Sequence, residues 1–246
     1  MRRFIIPSHA LTEDTITVSG ELFHHMVRVL RLNKGSRLSL ADGSGHEYEG
    51  RISRVDAESL TVAVEESRVS TATRTGPRIT LFQGLPKGDR LELVIQKCTE
   101  LGIAEIVPFI AARSVARPGE RRLKDRLERW RRIAAEAARQ SNRSTVPEID
   151  FSADLSEVCR KSSHDVRIVL WEEEQTLSLK KLLAGFEGPE SVAIIVGPEG
   201  GLTRDEVSLA TRCGFISVSL GSRILRTETA GMAILAILQF YWGDLG

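Results

Sequence analysis

The chain has 246 residues, of which 41% are hydrophobic and 27% charged, and its formal net charge is +1, as in an ordinary globular protein of one or two domains. Its longest apolar run, within Met232 to Trp242, is shorter than the roughly 20 residues of a membrane-spanning helix, and its N-terminus does not read as a targeting signal, so a cytosolic location without membrane association is expected. The three cysteines form no CxxC pair and lack a histidine at metal-ligand spacing, so neither a disulfide framework nor a metal site is expected.

Residues 1–70 have the pattern of a small β-rich domain. The strand-like segments are Arg37 to Leu40, Glu47 to Val55 and Leu60 to Val64, and Asp42-Gly43 is a strong turn signal. The stretch Ser67 to Pro77 is rich in Ser, Thr and Arg and ends in Gly-Pro, which is typical of a linker. We therefore place a linker at residues 71–77 and a second domain at residues 78–246.

A short helix is predicted inside this first domain, from Glu21 to Val29. It brings His24, Arg28 and Arg31 to spacings of four and three residues, so they fall on or near one face. Such a face could contact phosphates. The alternative is a polar face in contact with solvent, which is favoured for His24 taken alone.

Beyond the linker, strands alternate with helices, as in a parallel α/β sheet with crossover helices. The predicted strands are Ile79 to Gln83, Ile103 to Ile110, Val166 to Trp171, Val192 to Val196 and Phe215 to Leu220. Asp89 and Glu92 form an N-cap and N3 pair that opens a helix ending at Gly102.

Two further helices follow in the C-terminal third. Thr203 and Glu206 form a second capping pair, for a helix that ends at Gly214. The last helix is predicted from about Thr227 to Tyr241.

A basic zone, which we define as residues 113–143, separates two of these strands. It contains eleven basic residues against four acidic ones, although the whole chain is nearly neutral. A positive zone of this kind could hold a phosphate backbone. A solvated helix face with ordinary surface ion pairs is the alternative.

Two strands of the predicted sheet end in glycine-bearing loops, GPEGG (residues 197–201) and LGSRILR (residues 220–226). In open α/β sheets ligands bind outside the carboxyl ends of the strands, so we expect the site there. The first loop matches neither the Walker A motif nor GxGxxG. A small neutral or cationic ligand held by main-chain groups is therefore favoured, with a simple tight turn as the alternative.

The last helix is preceded by a charged cluster that includes Arg226 and Glu228. Helix capping explains Thr227 and Glu228, but an arginine is unfavourable beside a helix N-terminus. Arg226 is therefore expected to bind something anionic or polar.

The sequence IVGPEGG (residues 195–201), followed by LGSRILRTETA (residues 220–230), closely resembles the signature of the ribosomal RNA small subunit methyltransferase E family. The resemblance covers the whole chain, at Arg2 to Phe4, His24 to Leu30, Gln96 to Gly102, Arg113 to Val115, Gln140 to Pro147 and Gly243 to Gly246. The family pattern often has a glycine where this chain has Asn142.

The resemblance implies a SPOUT-type α/β fold with a C-terminal trefoil knot, a PUA-like RNA-binding domain at the N-terminus, and a homodimer with each active site near the subunit junction. It implies S-adenosyl-L-methionine as cofactor and methylation of N3 of a uridine in 16S rRNA. The cofactor contacts carried over by position are Val196, Gly197, Gly200, Gly201, Leu220, Ser222, Ile224, Leu225 and Ala230.

The chemistry requires an anionic base to be stabilised or the uracil N3 proton to be removed. We assign the first role to Arg226 and name Glu228 or Glu199 as candidate proton acceptor, with helix capping or loop bracing as the alternative for either glutamate. RNA contacts are expected from Arg3, His24, Arg28, Arg31, Lys87, Arg113, Arg139 and Arg143.

Two other functions remain open. One is a SPOUT methyltransferase of different specificity, such as ribose 2′-O methylation. The other is a non-catalytic RNA-binding or assembly factor, against which the complete LGSRILRTETA loop argues. The exact nucleotide, and whether the substrate is naked 16S rRNA or the small ribosomal subunit, are not determined by the sequence.

Overall fold

The computed structural model describes residues 3–6, 10–12, 14–42, 45–69 and 76–245. The chain divides into two compact units, an N-terminal unit of residues 1–73 with 138–146 and a C-terminal unit of residues 74–137 with 147–246. Most of the predicted linker, residues 71–75, and Gly43 of the predicted turn lie outside the described residues, so the linker stays a prediction. Within the described part, no helix combines the length and the apolar character that crossing a membrane requires.

The N-terminal unit contains a six-stranded sheet in the order β1-β4-β5-β6-β3-β2. Its strands are β1 (Arg3–Ile5), β2 (Leu11–Thr12), β3 (Thr15–Ser19), β4 (Arg37–Ala41), β5 (His46–Val55) and β6 (Ser59–Val69). β1 and β4 are parallel and the other pairs are antiparallel. Alternate side chains such as Ile16, Leu38 and Leu60 are fully buried in one core.

The three strands expected in this unit are confirmed, but β6 is longer than predicted. Residues 67–69, which the sequence assigned to linker, continue the strand, because Ser67 pairs with Tyr48 and Arg68 with Glu47 of β5. The hydrogen-bond partner supplied by β5 outweighs the polar composition of this segment.

The predicted short helix over Glu21 to Val29 is confirmed in extent, but its second half is π-helical. A short helix α1 (Gly20–His24) is followed by a π-helical turn at His25–Val29. The Leu30 amide donates to the His25 carbonyl at 3.0 Å, which is an i to i+5 bond. Arg31 lies beyond the helix, with φ of 55°, so it does not share a helical face with His24 and Arg28.

The C-terminal unit contains a second six-stranded sheet, in the order β12-β10-β11-β7-β8-β9. Its strands are β7 (Arg78–Gly84), β8 (Glu105–Phe109), β9 (Glu148–Ile149), β10 (Val166–Leu170), β11 (Ser191–Val196) and β12 (Ile216–Val218). Every pair is parallel, which confirms the predicted sheet. The two middle strands, β11 and β7, are almost wholly buried, as expected of parallel strands covered on both faces.

The helices of the chain beyond α1 are α2 (Arg90–Glu100), α3 (Glu120–Gln140), α4 (Leu155–Lys161), α5 (Leu179–Leu183), α6 (Arg204–Arg212) and α7 (Thr227–Trp242).

The capping box of Thr203 and Glu206 is confirmed at the start of α6. Asp89 is the N-cap residue of α2, as predicted, but its side chain does not make the expected capping bond. Glu92 instead pairs with Arg129 at 2.7 Å, so a charged partner on α3 replaces the local bond.

The backbone conformation of Asn142 explains why glycine suits this position. The turn after α3 closes with the Arg143 amide donating to the Ala138 carbonyl at 3.0 Å, and Asn142 has φ of 55°. This left-handed conformation at a helix C-terminus favours Gly most strongly, and Asn is the second most favoured residue.

We expect Asn142→Ala to be less stable than Asn142→Gly by about 1 kcal/mol, because the added Cβ is unfavourable in the left-handed region. Both variants lose the asparagine side chain, so their difference isolates the backbone effect. Denaturant unfolding of the two variants measures it. Equal midpoints would show that the turn relaxes to accept a side chain.

Candidate active site

A cavity of about 510 Å³ lies where β10, β11 and β12 end. This is the edge where a parallel α/β sheet binds ligands. The predicted ligand-contact residues that line it are Val196, Gly197, Gly201, Leu220, Ser222, Ile224, Leu225 and Ala230. Gly200 does not line the cavity. Its carbonyl accepts a hydrogen bond from Arg113 at 2.8 Å, and its Cα faces the Arg113 side chain.

The GPEGG loop is a tight turn and also part of the cavity wall. The Gly201 amide donates to the Pro198 carbonyl at 2.9 Å, and Gly201 has φ of 68°. A Cβ at Gly201 would collide with the carboxylate of Glu172, which also lines the cavity. Glycine is favoured here by the backbone conformation, and a side chain at this position would also displace the Glu172 carboxylate.

A buried hydrogen-bond network joins the two glycine loops. The side-chain amide of Gln83, near the end of β7, donates to the Thr227 hydroxyl at 2.8 Å. That hydroxyl donates to the Gly197 carbonyl at 2.5 Å. Gln83 is 0% exposed and Thr227 is 6% exposed. The network fixes the start of α7 against the loop that follows β11.

This network overturns the capping explanation of Thr227. The N-cap residue of α7 is Arg226, and no side chain caps the helix. The hydroxyl of Thr227 is engaged by a distant loop, because the end of β11 reaches it in the folded chain. Glu228, in the first turn, does not cap the helix either.

Glu199 is braced by two groups from the segment after β7. Its carboxylate accepts a hydrogen bond from the Lys87 amide at 2.9 Å and forms an ion pair with Arg90. Partial burial alone would raise the pKa of Glu199, but the backbone amides of Glu199 and Lys87 and the guanidinium of Arg90 lower it below the ordinary value. A carboxylate held in its charged form in this way is a weak proton acceptor.

Arg226 and Glu228 both line the cavity. One carboxylate oxygen of Glu228, Oε2, is buried and has no hydrogen-bond partner in the described part of the chain. A buried acceptor without a donor is costly in a folded protein, and such groups concentrate at functional sites. Glu228 is therefore better placed than Glu199 to accept a proton from a bound ligand.

The lining residues that the sequence did not identify include Trp171, Glu172 and Arg90. Trp171 and Glu172 directly follow β10, so the rule that ligands bind at the carboxyl ends of strands could have indicated them. Arg90, at the start of α2, had no such signal. Among the described residues, no group of three His, Cys, Asp or Glu side chains is placed to hold a metal ion.

The residues expected to contact RNA fall into both units. The N-terminal unit holds Arg3, His24, Arg28, Arg31, Arg139 and Arg143, and the C-terminal unit holds Lys87 and Arg113. His24, Arg28 and Arg31 are exposed, whereas Arg139 and Arg143 are half-buried. Arg143 donates to the Thr145 hydroxyl at 3.2 Å. The side chain of Arg3 lies outside the described part.

The two units match two models of protein families. Residues 74–239 match the RNA methyltransferase domain, and residues 18–65 match the RNA methyltransferase PUA domain. The α/β sheet and the β-rich sheet therefore each correspond to a domain known from RNA methyltransferases.

Related proteins cover nearly the whole chain. The ribosomal RNA small subunit methyltransferase E of Bacillus subtilis is 35% identical over 232 residues, which is 92% of this chain and 90% of the relative. The Mycobacterium tuberculosis protein of the same name is 32% identical and covers 91% of this chain and 86% of its own.

Solved structures of similar proteins have the same fold. The Neisseria gonorrhoeae ribosomal RNA small subunit methyltransferase E, bound to S-adenosyl methionine, superimposes with a TM-score of 0.86 at 31% identity over 100% of both chains. A methyltransferase of Legionella pneumophila with bound SAM has a TM-score of 0.85 at 30% identity and covers 99% of this chain and 98% of its own.

We expect Thr227→Val to destabilise the C-terminal unit by about 1–3 kcal/mol, because the Gly197 carbonyl loses its hydroxyl donor and the Gln83 side-chain amide loses the shortest of its hydrogen bonds. Thr211→Val is the matched control, since the Thr211 hydroxyl bonds only to carbonyls of its own helix. Thermal unfolding of both variants measures the difference. An equal loss of stability in the two variants would mean that the network adds nothing to stability beyond the effect of replacing Thr by Val.

Proposed function

Because the chain belongs to the family of ribosomal RNA small subunit methyltransferase E, we propose that it transfers a methyl group from S-adenosyl-L-methionine to N3 of a uridine in 16S rRNA. The observation that carries this proposal is the cavity at the carboxyl edge of the parallel sheet, lined by both family loops and by Arg226 and Glu228. The family relationship supplies the substrate, and the side chains in this cavity supply the chemistry.

The residues of the cavity fit this cofactor. A volume of about 510 Å³ is within the usual range for a small-molecule site. Apolar walls at Leu220, Leu225 and Ala230 suit the adenine ring, and the Glu172 carboxylate suits a positively charged group. The amides of Ser222 and Ile224 have no acceptor in the described part of the chain, so they are free to bind the ligand.

When bound, S-adenosyl-L-methionine supplies a methyl group on a positively charged sulfur, and the transfer forms the N3–methyl bond as the sulfur–methyl bond breaks. Uracil N3 becomes a good nucleophile only when its proton leaves. The carboxylate of Glu228 accepts that proton, and its unpartnered oxygen is the acceptor atom. The guanidinium of Arg226 stabilises the negative charge that develops on the base.

Glu199 has a supporting role in this proposal. Its carboxylate is held by the Lys87 amide and by Arg90, and its pKa is lowered. It braces the GPEGG loop against the segment after β7, and we do not assign the proton transfer to it.

The RNA is held by basic side chains of both units. The eight predicted contact residues, from Arg3 to Arg143, would bind phosphates and make the affinity fall steeply with salt. The target uridine must be unpaired or extruded, because its N3 edge is buried in a base pair. We propose that the substrate is 16S rRNA, free or within the small ribosomal subunit, and that the protein acts in the cytosol.

We further propose that the chain forms a homodimer through the exposed apolar face of α7. Ile237, Phe240 and Tyr241 lie at helical spacing on this face, and Phe240 is 67% exposed. Leu93 on α2, which packs against α7, is also exposed. Large apolar side chains grouped on one face are typical of an interface.

The C-terminal trefoil knot is likewise proposed. After β12 at one end of the sheet, the chain returns to the middle strands, where Thr227 bonds to the Gly197 carbonyl and to Gln83. This return path past the end of β11 supports the proposal, and the knot would form where the chain threads through a loop of this segment.

The proposal is tested by incubating the protein with labelled S-adenosyl-L-methionine and either small ribosomal subunits or naked 16S rRNA. The expected product nucleoside, identified by mass spectrometry, is N3-methyluridine. A 2′-O-methylated nucleoside would replace the proposed specificity. Cofactor binding without any transfer would instead favour a non-catalytic assembly factor.

Three variants separate the roles of the charged residues. Glu228→Gln should lower kcat about 100-fold or more, since the proton acceptor is lost while the shape is kept. Arg226→Ala should lower kcat by a similar factor. Glu199→Gln is the matched control for Glu228→Gln and should retain most of kcat. Single-turnover kinetics measure the three, and full turnover in Glu228→Gln would exclude it as the base.

The double variant Ile237→Glu with Phe240→Glu should be monomeric, because four charges in the dimer would have to be buried at low dielectric. Light scattering after size-exclusion chromatography gives the mass. Val29→Glu, which adds a charge at an exposed apolar residue of the N-terminal unit, is the control and should stay dimeric. A wild-type monomer would refute the proposed dimer.

A further inference from the structure

A second cavity in the C-terminal unit, of about 530 Å³, has no role in the site described above. It lies between the segment after β8 and the first half of α3. Its lining consists of Val115, Ala116, Arg117, Pro118, Arg122, Asp125, Arg126 and Arg129. We call it the arginine cleft. Its residues belong to the basic zone, but none is among the individual cofactor or RNA contacts predicted from the sequence.

The cleft has a strong excess of positive charge. Four of its residues are arginines, and Asp125 is the acidic residue among them. Arg122, Arg126 and Arg129 lie at i, i+4 and i+7 of α3, so their side chains project from one stripe of the helix. Arg117 completes the cluster from the opposite wall.

Most of this charge is not neutralised within the protein. Arg129 pairs with Glu92 at 2.7 Å. In the described part of the chain, Arg117 and Arg122 form no ion pair and no side-chain hydrogen bond, and both are exposed. Arg126 is held with its guanidinium 5.9 Å from the centre of the Trp130 ring. Grouped guanidinium groups without carboxylate partners suit phosphate oxygens, which they bind through two parallel hydrogen bonds.

The cleft lies close to the methyl-transfer site. The short segment that connects them is held in place by hydrogen bonds. Arg113 donates to the Gly200 carbonyl at 2.8 Å, the Ala112 amide donates to Glu206 at 2.7 Å, and the Ser114 hydroxyl donates to the Leu85 carbonyl at 3.2 Å. Val115, the next residue, already lines the cleft, and it is 74% exposed. Two residues of chain span at most about 7 Å, so the GPEGG loop and the cleft are neighbours.

We propose that the arginine cleft binds the sugar-phosphate backbone of the substrate RNA beside the target uridine. Arg117 and Arg122 contact phosphates, and the exposed side chain of Val115 packs against an unstacked base. This inference rests on the proposed function, since it assigns a further binding site for the same RNA. The cleft thereby holds the strand that carries the uridine within a few nucleotides of the methyl donor.

The test compares two double variants that remove the same charge. Arg117→Gln with Arg122→Gln changes the cleft, and Arg160→Gln with Arg212→Gln changes two exposed arginines on α4 and α6. For each, the affinity for a 16S rRNA fragment is measured over a range of salt concentrations, and kcat, KM for RNA and Kd for the cofactor are measured separately.

The cleft variant should raise KM for RNA about tenfold or more and reduce the slope of log affinity against log salt by about 2, one unit for each lost phosphate contact. Its kcat and cofactor Kd should stay within twofold of wild type. The control variant should keep the wild-type slope. A wild-type slope in the cleft variant, or an equal loss in both variants, would overturn the cleft as a phosphate site.

Failure of the proposed function has a different signature. A wild-type protein that binds the RNA fragment without methylating it would refute the activity, while the salt slopes would still decide the cleft. A wild-type protein that binds no RNA would refute both.

Discussion

The hydrogen bonds from the Gln83 amide to the Thr227 hydroxyl, and from that hydroxyl to the Gly197 carbonyl, hold the site together. They connect the ends of β7 and β11 to the start of α7 in a largely buried region, where an unmet hydrogen bond is costly. The polypeptide on either side of this junction forms the two family loops. The positions of Arg226 and Glu228, immediately beside Thr227, therefore depend on a contact that neither residue makes itself.

Within that frame, two glutamates of the same cavity receive different environments. Glu199 is surrounded by donors, the Lys87 amide and Arg90, and these keep it ionised. Glu228 retains a buried oxygen that no donor of the described residues reaches. Because environment decides whether a carboxylate braces a loop or can accept a proton, the two glutamates suit the two different roles proposed for them.

The net charge of the chain is nearly neutral, so it does not indicate how the protein would bind RNA. The basic residues of the zone 113–143 are distributed between the two units, and some are already engaged, as Arg113 is by the Gly200 carbonyl and Arg129 by Glu92. The arginines that have no carboxylate partner among the described residues, such as Arg117 and Arg122, are the ones available to phosphates. The affinity for RNA depends more on a local surplus of unpaired positive charge than on the net charge of the whole chain.

The sequence by itself determined the parallel sheet, the capping box at Thr203 and the two glycine loops, because these depend on periodicity and on bonds between residues close in the chain. It did not reveal that Thr227 bonds to Gly197, that Glu92 leaves its capping position for Arg129, or that Glu172 and Arg90 line the cavity. Each of these contacts joins residues far apart in sequence. Only the packing of strands and helices brings such partners within hydrogen-bond distance, and there a charged or buried partner outweighs the local preference.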